Sequence, residues 1–313
     1  MTRGDGASPS SPADKPSVDA ARSARIARGA VAHYEDAGYY DLAYKRRRKD
    51  VRFYVELASS GRGPVLELGA GTGRVALEIA RQDTPVVAVE PVPAMLQRAK
   101  QKAARLPKAT QARLTLQKGD MRSVRLKQTF PLVIAPFNVF MHLYTRRDLE
   151  RALATVRVHL APGGRFVFDV SMPDLRAMLR DPGRMYRAPP VVHPDTGREY
   201  EYFEAFDYDA LREVLLMSLV FQSVDDLADL RVLPLSQRQF FPEELALLLH
   251  YNGFAIEQRW GDFDRSPLSA DSESQILVCS LLRSRAASPR ASTLAPRAAA
   301  PRAKAARRGT ARG

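Results

Sequence analysis

Val65-Leu66-Glu67-Leu68-Gly69-Ala70-Gly71-Thr72-Gly73 joins an apolar run to a turn with three glycines at alternate positions. Val65 to Leu68 is apolar apart from one acid and reads as a buried strand. The glycines at 69, 71 and 73 make a turn, and a helical stretch then runs to about Arg81. Glycine admits backbone conformations that a Cβ forbids and lets the main chain approach a ligand closely. The N–H groups at the start of the following helix face whatever polar or anionic group is bound there. The plainer alternative is a glycine-rich βα loop that binds nothing, since isolated glycine motifs are weakly specific.

Outward from this turn the chain keeps alternating short apolar runs with helical stretches, the pattern of an α/β parallel sheet. Pro85 introduces a strand over Val86 to Val89, and a helix follows from about Pro93 to Arg105. Leu114 to Leu116 and Leu132 to Ile134 are further strands. Asp148 to Leu160 is helical, and Pro162-Gly163-Gly164 breaks the chain before a fifth strand, Arg165 to Val170. Beyond that the pattern changes. Glu199 to Tyr208, Val214 to Gln222 and Arg231 to Phe241 read as antiparallel strands of an insertion spanning about residues 198–241. Pro242 suits a helix start and Asn252-Gly253 its stop. Ala255 to Trp260 and Gln275 to Leu282 are the last strands.

Charge is distributed unevenly. The 313-residue chain has a formal net charge of +13, yet Arg283 to Gly313 holds nine basic residues, no acidic ones and eleven alanines. With one leucine and no aromatic residue, this segment cannot bury enough apolar surface to offset its ordering entropy, so it reads as a disordered basic tail. Residues 1–28, with five basic and three acidic residues and few large apolar ones, read as a disordered arm. The remaining domain, residues 29–282, carries 34 basic and 32 acidic residues. Its charge therefore gives no argument for a nucleic-acid substrate, although the tail itself suits nonspecific contact with DNA or RNA. No apolar run approaches the ~18–20 residues of a membrane helix, and Met1 to Ala20 lacks the apolar segment of a secretory signal. The expectation is a soluble, cytoplasmic protein without membrane contact. A single cysteine, Cys279, excludes an internal disulfide framework. The histidines lack metal-ligand spacing, so no metal is expected.

Spacing chooses among ligands. A dinucleotide fingerprint requires Gly-x-Gly-x-x-Gly, whereas here the third glycine comes one residue early and an acid, Glu67, precedes the turn. Glu67-Leu68-Gly69-Ala70-Gly71-Thr72-Gly73 resembles motif I of the class I S-adenosylmethionine-dependent methyltransferases. Glu90, Gly119-Asp120-Met121 and Leu160-Ala161-Pro162-Gly163-Gly164 follow in the family's order. The likeness covers roughly residues 34–282 and extends to small-molecule enzymes similar to sugar and glycine/sarcosine-type N-methyltransferases. Its further carriers are Tyr40-Asp41-Leu42-Ala43-Tyr44 with Arg47 and Asp50, Ala135-Pro136-Phe137-Asn138 with His142-Leu143, and Gly261-Asp262-Phe263-Asp264.

The resemblance implies a Rossmann-like, mostly parallel seven-stranded sheet with helices on both faces and a small antiparallel β insertion. It implies S-adenosyl-L-methionine as cofactor, with Glu67, Gly69, Gly71 and Gly73 around its amino-acid end. Glu90 would accept hydrogen bonds from the ribose hydroxyls, and Asp120 and the Met121 amide would meet the adenine. Tyr40 and Tyr44 would close over the cofactor from an N-terminal lid helix, and Arg47 would meet its carboxylate. Each has a plainer alternative: Glu90 a solvated strand-end acid, Asp120 a turn cap, Lys45 to Lys49 a solvated helix face.

For the transfer, His142 is the candidate base or orienter, with Tyr44 beside it as a second catalytic candidate. An unperturbed histidine pKa near ~6.5 suits proton handling, and His142 follows the end of a strand, where ligands gather in such sheets. A loop histidine that only hydrogen-bonds is the alternative. The expected function is methyl transfer to an amine or hydroxyl of a small molecule. The alternative is a nucleic-acid-associated protein whose tail binds DNA or RNA, the domain being degenerate or acting on a nucleic-acid-linked substrate. Ala-Pro-Phe-Asn138 departs from the Asn/Asp-Pro-Pro-Tyr/Phe pattern of base-amino methyltransferases, which weighs against nucleic-acid N-methylation.

Overall fold

The computed structural model describes residues 18–282 apart from Arg62 and Asp195. The basic tail and the nucleic-acid contact expected of it lie outside the described residues, as do residues 1–17 of the N-terminal arm. The rest of that arm differs from expectation. Residues 18–28 belong to helix α1 (Val18–Gly29). Its composition is poor in apolar side chains, but Ile26 is buried against Val214 and Leu216, and Arg25 pairs with Asp207 at 2.8 Å. Tertiary contacts far along the chain supply what local hydrophobicity lacks.

After α1 come a 3-10 turn (Ala32–Tyr34), α2 (Ala37–Ala43) and α3 (Lys49–Ser60). The alternating core then begins: β1 (Val65–Leu68), α4 (Ala76–Arg81), β2 (Val86–Glu90), α5 (Pro93–Ala103), α6 (Lys108–Gln111), β3 (Leu114–Lys118) and β4 (Phe130–Ala135). A second 3-10 turn (Val139–His142) leads to α7 (Arg146–His159) and β5 (Leu160–Ser171). Thr145 starts α7 by accepting the Asp148 N–H at 3.0 Å, a side-chain cap. Pro162-Gly163-Gly164 lies inside β5 and does not break it. The register steps from Phe130 opposite Leu160 to Leu132 opposite Arg165, so the turn is an excursion from a continuing strand.

The first sheet has the order β10-β11-β5-β4-β1-β2-β3, completed by β10 (Phe254–Trp260) and β11 (Ser274–Leu281). β1 to β5 are parallel, and β11 runs against both of its neighbours. Alternation on β1 divides the core. Leu66 and Leu68 join the cluster under α7 and α9 (Pro242–Tyr251), whereas Val65 joins the cluster formed with α3 and α4. Glu67 shares Val65's face of the strand, so a carboxylate stands where the pattern calls for an apolar residue. Because β2 and β3 lie to one side of β1 and β4 to the other, the strand order reverses between β1 and β4. Open α/β sheets bind their ligands at such a reversal, beyond the carboxyl ends of the strands.

After α8 (Leu175–Met178) the chain builds a second, four-stranded antiparallel sheet from β6 (Tyr186–Val192), β7 (Glu199–Asp209), β8 (Val214–Ser223) and β9 (Leu230–Arg238). The insertion begins earlier than the sequence suggests, because β6 contains Pro189-Pro190. A bulge between Ala188 and Val191 and a position at the sheet edge accommodate both prolines. Tyr200, Tyr202, Phe206 and Tyr208 line one face, packed with Phe221, Leu219, Leu215 and Met217. Cys279 is fully buried. Among the described residues no helix is long and apolar enough to cross a membrane, and no group of three or more His, Cys, Asp or Glu could hold a metal.

Candidate active site

The turn after β1 is a cradle. Gly69, Gly71 and Gly73 have φ of +73°, +58° and +77°, the left-handed region where glycine is unstrained. A Cβ on Gly69 would come within 2.6 Å of Val139, so main chain and side chain touch there directly. Across the cradle, at the end of β2, Glu90 accepts the Gly71 N–H through Oε2 and the Val92 N–H through Oε1, each at 2.8 Å. Each carboxylate oxygen keeps acceptor capacity beyond those bonds. The pocket above is walled by Tyr34, Tyr40, Glu67, Arg74, Glu90, Met121, Phe137 and His142, besides the glycine turn.

Burial governs the electrostatics. Desolvation raises the Glu67 carboxyl to about 8, partly offset by the Arg74 guanidinium, and its Oε2 is buried with no hydrogen-bond partner. Desolvation also lifts Glu90 to about 7, against the two amides that hold it. Arg74 lies with its guanidinium 4.5 Å from the Phe137 ring and forms a two-pronged ion pair with Asp50, 3.0 Å at Nη1. A stability profile follows. Above pH 7 an unfolded chain has already lost the protons of both glutamates, whereas the folded chain must still release them, so stability falls as pH rises from 7 to 9. The loss is expected to be about 1–2 kcal/mol, a few degrees in melting temperature. Glu67→Gln should remove most of it in a thermal-unfolding series, and an unchanged slope in that variant would contradict the assignment.

His142 is delivered by the 3-10 turn after β4 and is half-buried on the pocket wall. Its Nε2 lies 2.7 Å from the Tyr34 hydroxyl and its Nδ1 3.1 Å from the Tyr144 hydroxyl. The Ser236 hydroxyl donates to the Ile26 carbonyl at 2.9 Å, so Tyr144 donates to Ser236, whose hydroxyl and carbonyl oxygens lie 2.6 and 2.9 Å away. With those hydrogens committed, Tyr144 can only accept from His142, which places the ring hydrogen on Nδ1 and leaves the Nε2 lone pair for the Tyr34 O–H. Burial lowers the His142 pKa to about 4, helped by His33, so the ring is neutral at ordinary pH.

The other sequence candidates fall in different places. Tyr40 and Met121 line the pocket, as Glu67 and Glu90 do. The Tyr44 hydroxyl instead meets His33 Nε2 at 3.1 Å, and its ring packs on Tyr40 and Phe137, one layer behind the wall. Arg47 is exposed, 5.1 Å from the Phe137 ring centre, like the rest of Lys45 to Lys49. Asp120 is gripped by its near neighbour Arg122, at 2.6 Å between Oδ2 and Nη2, and is not part of the pocket wall. Sequence reasoning missed Tyr34 and Arg74. Arg74 directly follows the last glycine and its partner Asp50 was already singled out. Tyr34 lies in a short turn without periodicity, and nothing local marked it. The lid helix is also latched by Asp41, which accepts from Thr72 Oγ1 of the glycine turn at 2.6 Å and from Arg98 and Lys102.

Comparison with known proteins bears on the domain and the fold. Residues 65–164 match a methyltransferase domain model. Over 146 residues the chain is 32% identical to the dTDP-3-amino-3,4,6-trideoxy-alpha-D-glucopyranose N,N-dimethyltransferase of Streptomyces venezuelae, an alignment covering 43% of this chain and 56% of that enzyme. The chain thus matches little more than half of that relative's length. The CcbJ methyltransferase of Streptomyces caelestis superposes with a TM-score of 0.65 at 26% identity, over 75% of this chain and 90% of that one. An S-adenosylmethionine-dependent methyltransferase of Clostridium acetobutylicum shares the fold, with a TM-score of 0.63 at 17% identity over 78% and 98% of the two chains. Glycine cradle, strand order and domain match agree: residues 65–164 match a methyltransferase domain, in a fold shared with S-adenosylmethionine-dependent methyltransferases.

Proposed function

We propose that the protein transfers the methyl group of S-adenosylmethionine to an amine of a small molecule, and that amino sugars are the acceptor class to test first. The observation that carries this reading is the neutral His142–Tyr34 pair facing the pocket beside the glycine cradle. An amine attacks only through its free lone pair, so the acceptor must shed a proton at the site. Similarity to an amino-sugar N,N-dimethyltransferase supports the same choice.

The residues fit the cofactor. Glu90 is set to take the ribose hydroxyls, its carboxylate already aimed by the Gly71 and Val92 amides. The partnerless Oε2 of Glu67 suits the cofactor's ammonium group, and Arg74 on the pocket wall, in place of the exposed Arg47, is the counter-charge for its carboxylate. Gly71 leaves the cradle open, because a Cβ there would stand 3.5 Å from Met95 and 3.9 Å from the Tyr40 hydroxyl, inside the space a ligand needs. When bound, the sulfonium supplies an electrophilic methyl group for in-line displacement.

The protein then has two tasks. It holds the amine in line, and its aromatic walls exclude water from the approach. The Tyr34 oxygen accepts the amine N–H while its own hydrogen points to His142 Nε2, which turns the amine lone pair toward the methyl group. The proton passes from nitrogen to the Tyr34 oxygen as the Tyr34 proton passes to Nε2. A histidine with so low a pKa holds that proton weakly and gives it up to water once product leaves, which resets the pair.

A labelled-methyl assay tests the proposal with thymidine-diphosphate amino sugars, free amino sugars and their hydroxyl counterparts. Label on nitrogen of the amino compounds is expected. Label on the hydroxyl counterparts alone, or no transfer together with no binding of S-adenosylhomocysteine at millimolar concentration, would overturn it.

A further inference from the structure

At the end of β5 stands a buried carboxylate that the chemistry above does not use. Asp169 is 3% exposed and is not part of the pocket wall. Its Oδ1 accepts the Tyr54 hydroxyl at 2.6 Å and the Phe137 N–H at 2.8 Å, and its Oδ2 accepts the Asn138 N–H at 3.3 Å. All three partners are donors, the complement of an ionised carboxylate. Tyr54 is itself fully buried on α3, one turn beyond the Asp50 that holds Arg74, so one helix face anchors both halves of the site.

The two amides that Asp169 binds belong to a strained pair. Phe137 and Asn138 have φ of +64° and +63°, consecutive left-handed residues with no glycine between them. L side chains adopt this conformation at a cost, and a pair of them persists only where the surroundings hold it. Much of the site hangs on that turn. The Phe137 ring is the wall against which Arg74 lies. Val139, the next residue, is the side chain that touches Gly69. Asn138 heads the 3-10 turn that delivers His142 to Tyr34.

We propose that Asp169 is a positioning residue: it holds the Phe137–Asn138 turn left-handed and thereby sets both the wall of the cofactor cradle and the place of His142. The inference rests on the cofactor reading given above, but concerns a residue that touches neither cofactor nor acceptor. An asparagine at 169 keeps the size and one acceptor oxygen yet turns a donor toward the Asn138 N–H, so the turn loses one of its two holds. A glycine at 138 has no left-handed penalty and needs that hold less.

The experiment is a calorimetric titration of S-adenosylhomocysteine into the full chain. Asp169→Asn is expected to weaken binding about tenfold, and Asp169→Asn combined with Asn138→Gly to recover most of that loss. A merely structural aspartate would not be rescued at that site. Asn138→Val, with Asp169 intact, is expected to weaken binding by about tenfold as well, because a β-branched side chain opposes the turn directly. That arm keeps the test open if Asp169→Asn does not fold. No binding to the unaltered chain would remove the cofactor reading and this inference together. Binding to the unaltered chain with equal affinity in Asp169→Asn, no recovery in the double variant, or undiminished affinity in Asn138→Val would overturn the inference alone.

Discussion

Glu90→Ala is expected to lower the affinity for S-adenosylhomocysteine by about a hundredfold or more, from two lost charge-assisted hydrogen bonds of roughly 1.5–3 kcal/mol each. The carboxylate is 5% exposed at the end of β2, where replacement water enters only at a cost. Two effects add. The ribose hydroxyls lose their acceptor, and the Gly71 and Val92 amides, which Glu90 accepts at 2.8 Å, lose theirs and with it part of the shape of the cradle. Glu90→Gln separates the two, because an amide carbonyl can keep one of these bonds while the charge is gone. An intermediate loss is expected for it. pH gives a further handle. The Glu90 carboxyl sits at about 7, and in the role proposed for it the ionised form is the one that accepts from two hydroxyls. Affinity should therefore fall as pH drops from 8 to 6, and Glu90→Gln should flatten that portion of the profile. Calorimetry across this range checks both statements. Affinity within threefold of the unaltered protein for Glu90→Ala would remove this residue from the cofactor site.

The reach of the sequence follows from how local each signal is. Glu67 to Gly73 announces itself because strand, turn and helix start are contiguous, and because left-handed turns of this tightness leave few alternatives to glycine. Glu90 and Met121 could be found by counting strand ends from that anchor. Tyr34 could not, since it reaches the pocket from a 3-10 turn 108 residues before His142 and only the folded chain joins them. Asp120 and Arg47 illustrate the reverse. Their sequence positions fit, yet Asp120 is occupied by Arg122 and Arg47 stays exposed outside Phe137. The helix α1 and the strand β6 escaped for a shared reason: weak local propensity overridden by distant partners, Asp207 for one and the edge of β7 for the other. Asp169 was hidden because an aspartate in an apolar strand has no pattern that says which main-chain amides will close on it.

Tyr34→Phe and His142→Asn are each expected to lower kcat for methyl transfer to an amine by about a hundredfold or more, the range that a lost proton acceptor usually costs. Tyr34 and His142 both line the pocket, the Tyr34 hydroxyl occupies Nε2 at 2.7 Å, and His142 has its other nitrogen tied through Tyr144 to Ser236. Removing the Tyr34 hydroxyl severs the path, and removing the ring leaves the hydroxyl without an acceptor. Both variants keep Glu67, Glu90 and the glycine turn, so S-adenosylhomocysteine affinity should change by no more than about threefold if binding and transfer use separate groups. The decisive measurement is the double variant. Two residues acting in one relay are not additive: once either is gone, the second has little left to contribute. Tyr34→Phe/His142→Asn should therefore be no slower than the slower single variant by more than a few-fold. A product of the two single losses would instead mean that each residue acts on the acceptor by itself, with His142 reaching it directly. Rates near the unaltered value in His142→Asn would leave desolvation of the amine, and not proton removal, as what makes it reactive.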